Sequence, residues 1–563
     1  GGKACGMLLA RQLVRTYLPD LATALEPHDS YYIGSDVFYT YIVHNDCWNL
    51  RIQQRAERDR FTASEEFARR LMQGRFPENI REQFRRMLEY FGQSPIIVRS
   101  SSFLEDGFGN AFAGKYESVF CTSCGDPEQR LAAFEAAVKT VYASTMDPSA
   151  LEYRRRRGLF ERDEQMAILV QRVSGSRHGD FFFPMAAGVG YSFNAYPWMA
   201  GMDPQAGMLR LVMGLGTRAV DRTEGDYPRI AGLDRPAALP YAAIHTRHQY
   251  SQRSVDVLDL KENRFATVPL AAVWPLLPAG QQHLTLTHDD EAEQRLREQG
   301  HYQPVVFADC QGLVENRSFT QLMQQMLHVL QAHYGCPVDI EYAVNASETG
   351  DLAVNLLQCR PLHVDQVVAQ DIPAAHEQQI LFAVSDCTMG RSRRDPIDAV
   401  VVIDPKQYYA YPYHRKMAVA TKIGEINSAF AGRNQKLLLL VPGRIGTSSP
   451  ELGVPVVYAQ ISQFAAVCEV SYSQSGYMPE LSFGSHLFQD LVEAEIFYGA
   501  IFEDSRTRLY QPDLLANTPD LYPAICPGGE DLSGMIRIHD VTGLGLTLYH
   551  DMLGRRAVCQ FEG

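Results

Sequence analysis

The sequence lacks a long apolar run. A membrane-spanning helix needs ~18 consecutive apolar residues, and the densest apolar run here, at 437–441, ends at Pro442. A secretory signal peptide is also absent from the given sequence. Because the chain begins at Gly1 without a methionine, we expect the natural start to be missing. The sequence therefore predicts neither a membrane segment nor a membrane partner.

A surplus of positive charge is also missing. The chain carries 52 Lys and Arg against 66 Asp and Glu, which gives a net charge of −14. A protein that coats nucleic acid needs surplus cations for phosphate contacts, so we expect no nucleic-acid partner. The basic run at 154–157 lies in a helical segment flanked by glutamate and indicates a solvated helix face.

The cysteines lack the spacing of a metal site. There are eleven of them, an odd number, and the CxxC pair Cys121 and Cys124 has no second pair to complete a zinc site. A reduced, cytoplasmic setting without structural zinc is the simplest interpretation.

What the sequence does contain is the pattern of an α/β (α+β) protein. Its 563 residues, 46% of them hydrophobic, predict about three or four domains or subdomains. Short apolar runs alternate with charged helical stretches in the first half. The pattern predicts a helix around 65–72 and strands at 96–98, 166–170 and 181–183.

A helix followed by a strand hairpin comes next. Apolar residues repeat every four positions over 318–333, which is typical of an amphipathic helix, and strands are predicted at 339–344 and 352–357. If the second strand continues, Glu341, Gln358 and Arg360 share one face of the hairpin. They would offer a carboxylate and an amide oxygen to Mg²⁺ and a guanidinium to phosphate. A surface hairpin with an ordinary ion pair is the alternative.

The composition changes after residue 363. We interpret 1–363 as one domain, with subdomains of about 1–165 and 166–363, and 364–379 as a linker. Residues 380–563 form a separate α/β domain of unknown function, with its clearest strand at 437–441.

Three glycine-containing segments suit phosphate binding. Gly2 and Lys3 stand near the start of a helix. Arg99 ends a strand and precedes three serines and a loop with Gly107, Gly109 and Gly114, which suits a lid over phosphates. The close-spaced Gly214 and Gly216 let backbone approach a nucleotide. Each segment is weak evidence alone.

Together, these segments resemble a known family. The run VRSSS-x2-ED-x5-FAG-x2-ES is similar to the lid segment of phosphoenolpyruvate synthases and pyruvate phosphate dikinases. The later stretches ILVQRV, GLG, DIEYA and LLQCRP resemble the rest of that family's ATP-grasp domain, in the same order. The resemblance covers about residues 1–362 and implies ATP and Mg²⁺ as cofactors.

The resemblance also implies roles for single residues. Lys3 and Arg99 would contact the phosphates of ATP, and Glu341 and Gln358 would bind Mg²⁺. Arg360 would stabilise the transferring phosphoryl group. The remaining implied contacts are the adenine hinge Gln171, Arg172 and Val173, the lid base Ser100 and Ser101, and the nucleotide-contacting Gly214 and Gly216.

This sequence departs from the family pattern in three places. Thr217 and Arg218 stand where the family's GLGE motif has an acidic residue. The nucleotide or metal contacts that the family makes at this position are therefore in doubt for this chain. None of the 16 histidines has the context of the family's phosphohistidine domain. The given sequence has no room for the family's pyruvate-binding barrel either, so we expect that this chain is not a complete phosphoenolpyruvate synthase.

The C-terminal segment holds its own candidate residues. Arg444 lies in a Gly- and Ser-rich turn directly after a strand, where backbone amides and a guanidinium could converge on an anion. His486 precedes a helical stretch and is a candidate phosphoryl carrier. A tight turn and a helix cap are the alternatives. The segment resembles the tail of poorly characterised dikinase-related proteins that also lack the phosphohistidine domain.

These observations predict an ATP-dependent phosphotransferase. Its acceptor would be a small molecule, or a partner protein that carries one, and its products either ADP or AMP plus phosphate. The alternative is a non-catalytic ATP-binding regulatory or partner subunit. The oligomeric state does not follow from the sequence.

Overall fold

The structure, a computed structural model, describes most of the chain. The described residues are 2–56, 62–105, 116–147, 150–151, 154, 162–199, 201–220, 226–239, 243–347, 351–362, 372–447, 449–473, 490–491 and 494–562. They divide into two compact units. The first unit contains Gly1–Phe193, Ala206–Ala237 and Arg247–His363, and the second contains Asn194–Gln205, Ala238–Thr246 and Val364–Gly563.

Helices α1 to α15 are numbered here in chain order. They are α1 Gly2–Tyr17, α2 Ser35–His44, α3 Trp48–Ala56, α4 Thr62–Gln73, α5 Glu78–Phe91, α6 Pro127–Ser144, α7 Thr217–Val220, α8 Ile244–Gln249, α9 Ala279–Thr285, α10 Asp290–Glu298, α11 Gln311–Glu315, α12 Arg317–Tyr334, α13 Pro405–Ala410, α14 Met417–Ala429 and α15 Tyr522–Ile525. None of these described helices is both long and apolar enough to cross a membrane.

Strands β1 to β26 are numbered in the same way. In the first unit they are β1 Ser30–Ile33, β2 Ile96–Ser100, β3 Ser118–Cys121, β4 Ile168–Arg172, β5 Ser176–His178, β6 Phe181–Phe183, β7 Ala186–Tyr191, β8 Met208–Met213, β9 Arg229–Gly232, β10 Ser254–Asp259, β11 Arg264–Pro269, β12 Leu286–His288, β13 Val306–Ala308, β14 Val338–Ala346 and β15 Leu352–Pro361. In the second they are β16 Ile380–Ser385, β17 Thr388–Met389, β18 Arg393–Pro396, β19 Ala399–Ile403, β20 Leu437–Pro442, β21 Phe464–Val470, β22 Phe497–Ile501, β23 Thr507–Tyr510, β24 Ile536–Asp540, β25 Leu546–Asp551 and β26 Arg556–Phe561.

Two antiparallel sheets of the first unit carry the residues of interest. The sheet β1-β4-β2-β3 packs its apolar side chains with those of α2, α4, α5 and α6. The sheet β15-β14-β7-β8-β9 shares a second core with α1 and α12. Two further sheets, the four-stranded β11-β10-β6-β5 and the two-stranded β12-β13, complete the described strands of this unit.

Helix α1 lies close against β15. A Cβ atom placed on Gly6 would come within 2.2 Å of the Cys359 carbonyl oxygen, so only glycine allows this approach. The contact fixes Lys3, near the start of α1, relative to Gln358 and Arg360 on β15.

The second unit contains two sheets around one core. One is the five-stranded antiparallel sheet β18-β25-β26-β16-β23, and the other is the six-stranded mixed sheet β17-β22-β21-β20-β19-β24. In the mixed sheet, β19, β20, β21 and β22 run parallel to one another. Their carboxyl ends therefore meet at one edge.

The α/β (α+β) fold class is confirmed, as are most of the predicted elements. The helix at 65–72 lies inside α4, the strand at 181–183 is β6, and the strand at 437–441 lies inside β20. The predicted helix at 318–333 and hairpin are α12, β14 and β15. The strand predicted at 166–170 is displaced by two residues, because its ladder with β1 and β2 begins at Ile168.

Candidate functional site

A cleft of about 350 Å³ lies in the first unit, bordered by strands of the sheets β1-β4-β2-β3 and β15-β14-β7-β8-β9. One part of its wall is apolar and includes Ile97, Phe120 and Leu215. The structure brings eight of the residues singled out in the sequence into its lining. These are Lys3, Arg99, Gln171, Arg172, Val173, Gly216, Glu341 and Arg360.

Arg99 connects the two sheets across this cleft. It lies on β2, and its Nη2 donates to Gln358 Oε1 on β15 at 2.9 Å and to Glu341 Oε2 on β14. Its Nη1 donates to Gln171 Oε1 on β4 at 3.4 Å. The guanidinium is buried, and its Nε has no partner among the described residues. One cation therefore gathers Gln171 with Glu341 and Gln358, the two residues that the sequence had placed on one face of the hairpin.

Glu341 is held in its charged form. Burial disfavours the charge, but Arg99, Arg360 and Lys3 outweigh burial and hold the pKa of the carboxyl below its ordinary value. The carboxylate is therefore ionised at neutral pH.

Arg360 forms an ion pair along the same hairpin. Its Nε donates to Asp339 Oδ1 at 2.7 Å and to Oδ2 at 3.0 Å. The two residues are register partners, as are Glu341 and Gln358. Strand alternation thus places all four side chains on one face. The role of Asp339 was missed, although it stands two residues before Glu341 in the same motif.

Lys3 is held by the residues that follow Arg99. Its Nζ forms an ion pair with Glu105, whose side chain is 1% exposed, and donates to Ser100 Oγ at 3.1 Å. Glu105 also accepts from Ser100 Oγ and from the Ser102 amide. The sequence signal for Glu105 was its place in the serine-rich motif, which did not by itself indicate a contact with Lys3.

Ser101 secures the start of α1 and does not line the cleft. Its Oγ accepts from the Ala4 amide at 3.1 Å, and the Ser102 carbonyl accepts from the Gly2 amide at 3.0 Å. The first amides of a helix have no partner within the helix. The serines after β2 satisfy two of them and so position Lys3.

The predicted hinge lies at the end of β4. Gln171 is buried between Arg99 and Met7. The Val173 amide donates to the Pro95 carbonyl at 2.9 Å, so this amide is already used within the protein. The Arg172 guanidinium pairs with Asp29 at 2.7 Å.

The glycine segment takes a conformation that requires glycine. Gly214 has φ +87°, and a Cβ atom there would lie 2.7 Å from the Asp256 carbonyl oxygen. Gly216 lines the cleft just before α7. Thr217 and Arg218, which stand where the family has an acidic residue, both donate to Asp256. Thr217 Oγ1 lies 2.6 Å from Asp256 Oδ2, and Arg218 Nε lies 3.0 Å from Asp256 Oδ1. Arg218 also pairs with Asp226.

Four backbone amides of the turn at Arg444, in the second unit, are already bonded within the protein. The four amides from Gly443 to Gly446 donate to Val470 O, Leu452 O, Glu469 Oε1 and Val454 O. An anion at this turn would therefore have to be held by groups other than these four amides. The Arg444 side chain makes no hydrogen bond or ion pair with another described residue, and its role stays a prediction.

Two other predictions fall outside the described residues. They are the role of His486 and that of the glycine loop with Gly107, Gly109 and Gly114. Both stay predictions.

The donor set in the first unit suits magnesium. Glu341 Oε2 and Gln358 Oε1 both accept from the same nitrogen, Arg99 Nη2, so the two oxygens converge on one point. No group of three or more His, Cys, Asp or Glu side chains in the described part of the chain could hold a metal ion. Magnesium is commonly held by one or two carboxylates together with substrate phosphates and water. These two oxygens fit that pattern.

A cleft that is lined by apolar side chains, cations and carboxylates and is bordered by two antiparallel sheets is the arrangement of a nucleotide-binding domain of the ATP-grasp type. The family model of the pyruvate phosphate dikinase AMP/ATP-binding domain matches residues 1–379. Since this match covers more than half of the 563 residues, the chain belongs to that family.

Proposed function

We propose that this protein is an ATP-dependent phosphotransferase that moves a phosphoryl group from Mg-ATP to a small-molecule acceptor or to a partner protein that carries it. The observation that carries the proposal is the position of Arg99. Its Nη2 binds both a carboxylate and an amide oxygen suited to magnesium, and its own guanidinium, which lines the cleft, is suited to phosphate.

The cations of the cleft are suited to a triphosphate. Phosphoryl transfer depends mainly on positioning and on stabilising negative charge. Lys3, Arg99 and Arg360 all line the cleft, and the buried Nε of Arg99 lacks a partner among the described residues. A phosphate oxygen would supply that partner. In this proposal Lys3 and Arg99 bind phosphates, and Arg360 stabilises the transferring group.

Glu341 and Gln358 would hold magnesium. When bound, the ion neutralises charge on the phosphate oxygens. In this structure both residues accept from Arg99. Binding of the nucleotide and the ion must therefore break these hydrogen bonds and give each side a new partner. Arg99 would turn to phosphate, and Glu341 and Gln358 to the ion.

The apolar wall would receive the base. Ile97, Phe120 and Leu215 offer flat or branched apolar surface to an adenine ring, and pockets for cofactors combine such surface with a few polar groups. Because the Val173 amide is bonded to Pro95, base recognition would use other groups of the hinge Gln171, Arg172 and Val173.

Turnover by matched variants tests the proposal. Glu341→Gln and Arg360→Ala should lower the rate of ATP consumption by ~10²-fold or more, because each removes a charge beside the reacting phosphate. Arg264→Ala, at an exposed position on β11, should leave the rate unchanged. Separating AMP from ADP, with and without cell metabolites, distinguishes the two possible product sets. If both site variants consumed ATP like the parent, the proposal would be rejected.

A non-catalytic ATP-binding subunit is the second candidate. The observation that favours it is Arg218, which is held by two carboxylates where the family has an acidic residue. Such a subunit would bind Mg-ATP and release neither ADP nor AMP under any acceptor condition.

A further inference from the structure

A second cleft lies in the second unit, at the carboxyl edge of its parallel strands. It has a volume of about 520 Å³ and is bordered by the ends of β19, β21 and β22 at Val402, Val470 and Ile501. In open α/β sheets, ligands bind outside the carboxyl ends of the strands. The position alone makes this cleft a candidate site.

One wall of the cleft is the edge strand β24. Arg537 and His539 stand two positions apart on it, opposite Val402 and Val400 of β19, and both line the cleft. Residues at i and i+2 of a strand point to the same face. The pair therefore presents a guanidinium and an imidazole side by side.

The imidazole of His539 has a defined tautomer. Its Nδ1 lies 2.9 Å from Thr518 Oγ1. The Thr518 hydroxyl already donates its one hydrogen to the Leu515 carbonyl at 2.8 Å. It can therefore only accept from His539, which places the ring hydrogen on Nδ1.

With the ring hydrogen on Nδ1, Nε2 of His539 is an acceptor. Burial is the largest influence on the pKa of the ring and lowers it, as does the nearby Arg537, against the charge of Asp520 and a hydrogen bond to the Leu515 carbonyl, so the imidazole is neutral at neutral pH. The residue is 6% exposed and lines the cleft. An imidazole acceptor in this position suits a hydroxyl or an N–H group of a ligand in the cleft.

The guanidinium of Arg537 is suited to binding an anion. It is exposed and forms no hydrogen bond or ion pair with any described residue, although Asp404, Glu503 and Asp513 line the same cleft. A guanidinium binds a carboxylate through two parallel hydrogen bonds. The three carboxylates of the lining disfavour a ligand with more than one negative charge.

We propose that this cleft binds a small monocarboxylic hydroxy acid, whose hydroxyl donates to His539 Nε2 and whose carboxylate pairs with Arg537. This binding is independent of the proposed function. Such a ligand also carries a hydroxyl that could accept a phosphoryl group, and only this last link rests on the proposed function.

Three matched probes test the binding without any nucleotide. Glycerate has both a hydroxyl and a carboxylate, propionate lacks the hydroxyl, and glycerol lacks the carboxylate. Calorimetric titration of the full chain should show glycerate binding at least tenfold more tightly than propionate or glycerol. Equal binding of glycerate and propionate, or of glycerate and inorganic phosphate, would overturn the proposal.

Three variants assign the two contacts. His539→Phe should abolish the advantage of glycerate over propionate, and Arg537→Gln should abolish its advantage over glycerol. Arg508→Gln, on the exposed side of β23 outside the lining, should keep both. Because Arg537 is exposed, its variant tests the proposal even if His539→Phe fails to fold. Retention of both advantages in Arg537→Gln would contradict the proposed carboxylate contact.

Discussion

Arg99 occupies the groups that the proposed metal site needs. While Glu341 Oε2 and Gln358 Oε1 accept from Arg99 Nη2, a metal ion has to compete with the guanidinium for both oxygens. Hydrogen bonds to charged groups contribute ~1.5–3 kcal/mol each, so a divalent ion alone must displace a strong contact. A nucleotide removes this obstacle because its phosphates offer Arg99 a new partner.

We therefore predict that metal binding depends on nucleotide. The parent should bind Mn²⁺ weakly by itself and more tightly with ATP. Arg99→Ala should bind Mn²⁺ alone more tightly than the parent, on the order of tenfold or more, since the competing cation is gone. Electron paramagnetic resonance of free Mn²⁺ measures both affinities, with Arg264→Ala as the control. Equal Mn²⁺ affinity in Arg99→Ala and the parent would contradict this account.

The lowered pKa of Glu341 gives a pH dependence with a defined sign. A carboxyl whose folded pKa lies below its ordinary value of 4.5 stabilises the fold above that value. The stabilisation is lost as pH falls through the folded pKa. The gap in free energy of unfolding between the parent and Glu341→Gln should thus be constant near pH 7 and narrow below about pH 4.5.

Urea unfolding at a series of pH values measures this gap. Glu262→Gln, at an exposed turn position, controls for the loss of a carboxylate elsewhere. A gap that widened on acidification would show that Glu341 is not stabilised in its charged form.

Residue contacts across the chain were the hardest feature to predict. Glu341, Gln358 and Arg360 could be placed on one face because strand alternation is readable from sequence. The pairing of Lys3 with Glu105 spans 102 positions, and no local pattern encodes it. Two bonds of the Arg444 turn were likewise not predictable, because their acceptors, on Val470 and Glu469, belong to β21, which pairs with β20.

Helix α1 and strand β15 form the element pair on which the site depends. The helix carries Lys3, the strand carries Gln358 and Arg360, and Gly6 sets the distance between them. The hairpin itself was predictable from its two apolar runs. The irregular register between Glu341 and Tyr342 was not, because a bulge adds a residue without changing the apolar pattern in a recognisable way.

Gly6→Ala should separate this pair. The new methyl group would overlap the Cys359 carbonyl oxygen, and such overpacking typically costs ~1–3 kcal/mol of unfolding free energy. Mg-ATP affinity should fall as well, since Lys3 moves away from the β15 side chains. Urea unfolding and calorimetric titration measure the two effects.

Gly280→Ala is the matched control in α9. Nothing lies within 4 Å of a Cβ atom there, so the change should leave stability unaltered or raise it by ~0.4–1 kcal/mol. If Gly6→Ala proved as harmless as Gly280→Ala, the close approach of α1 to β15 would be in doubt.

At the scale of the whole molecule, the two units carry different kinds of cleft. The first unit has its cations and carboxylates at a cleft bordered by antiparallel sheets. The second has its cleft at the carboxyl edge of parallel strands. Sequence periodicity indicated α/β character for both parts. It did not indicate that 194–205 and 238–246 group with the second unit, because that grouping depends on tertiary contacts.

Binding of Mg-ATP tests the central claim most directly. A ligand that binds the folded state alone raises stability by RT ln(1 + [L]/Kd), which is ~2.7 kcal/mol at a hundredfold excess over Kd. We predict that calorimetric titration finds one nucleotide per chain, that the melting temperature rises with Mg-ATP, and that Arg99→Ala loses both effects while Arg264→Ala keeps them. The account would be contradicted if titration of the parent protein with ATP gave no binding heat and millimolar Mg-ATP left its melting temperature unchanged.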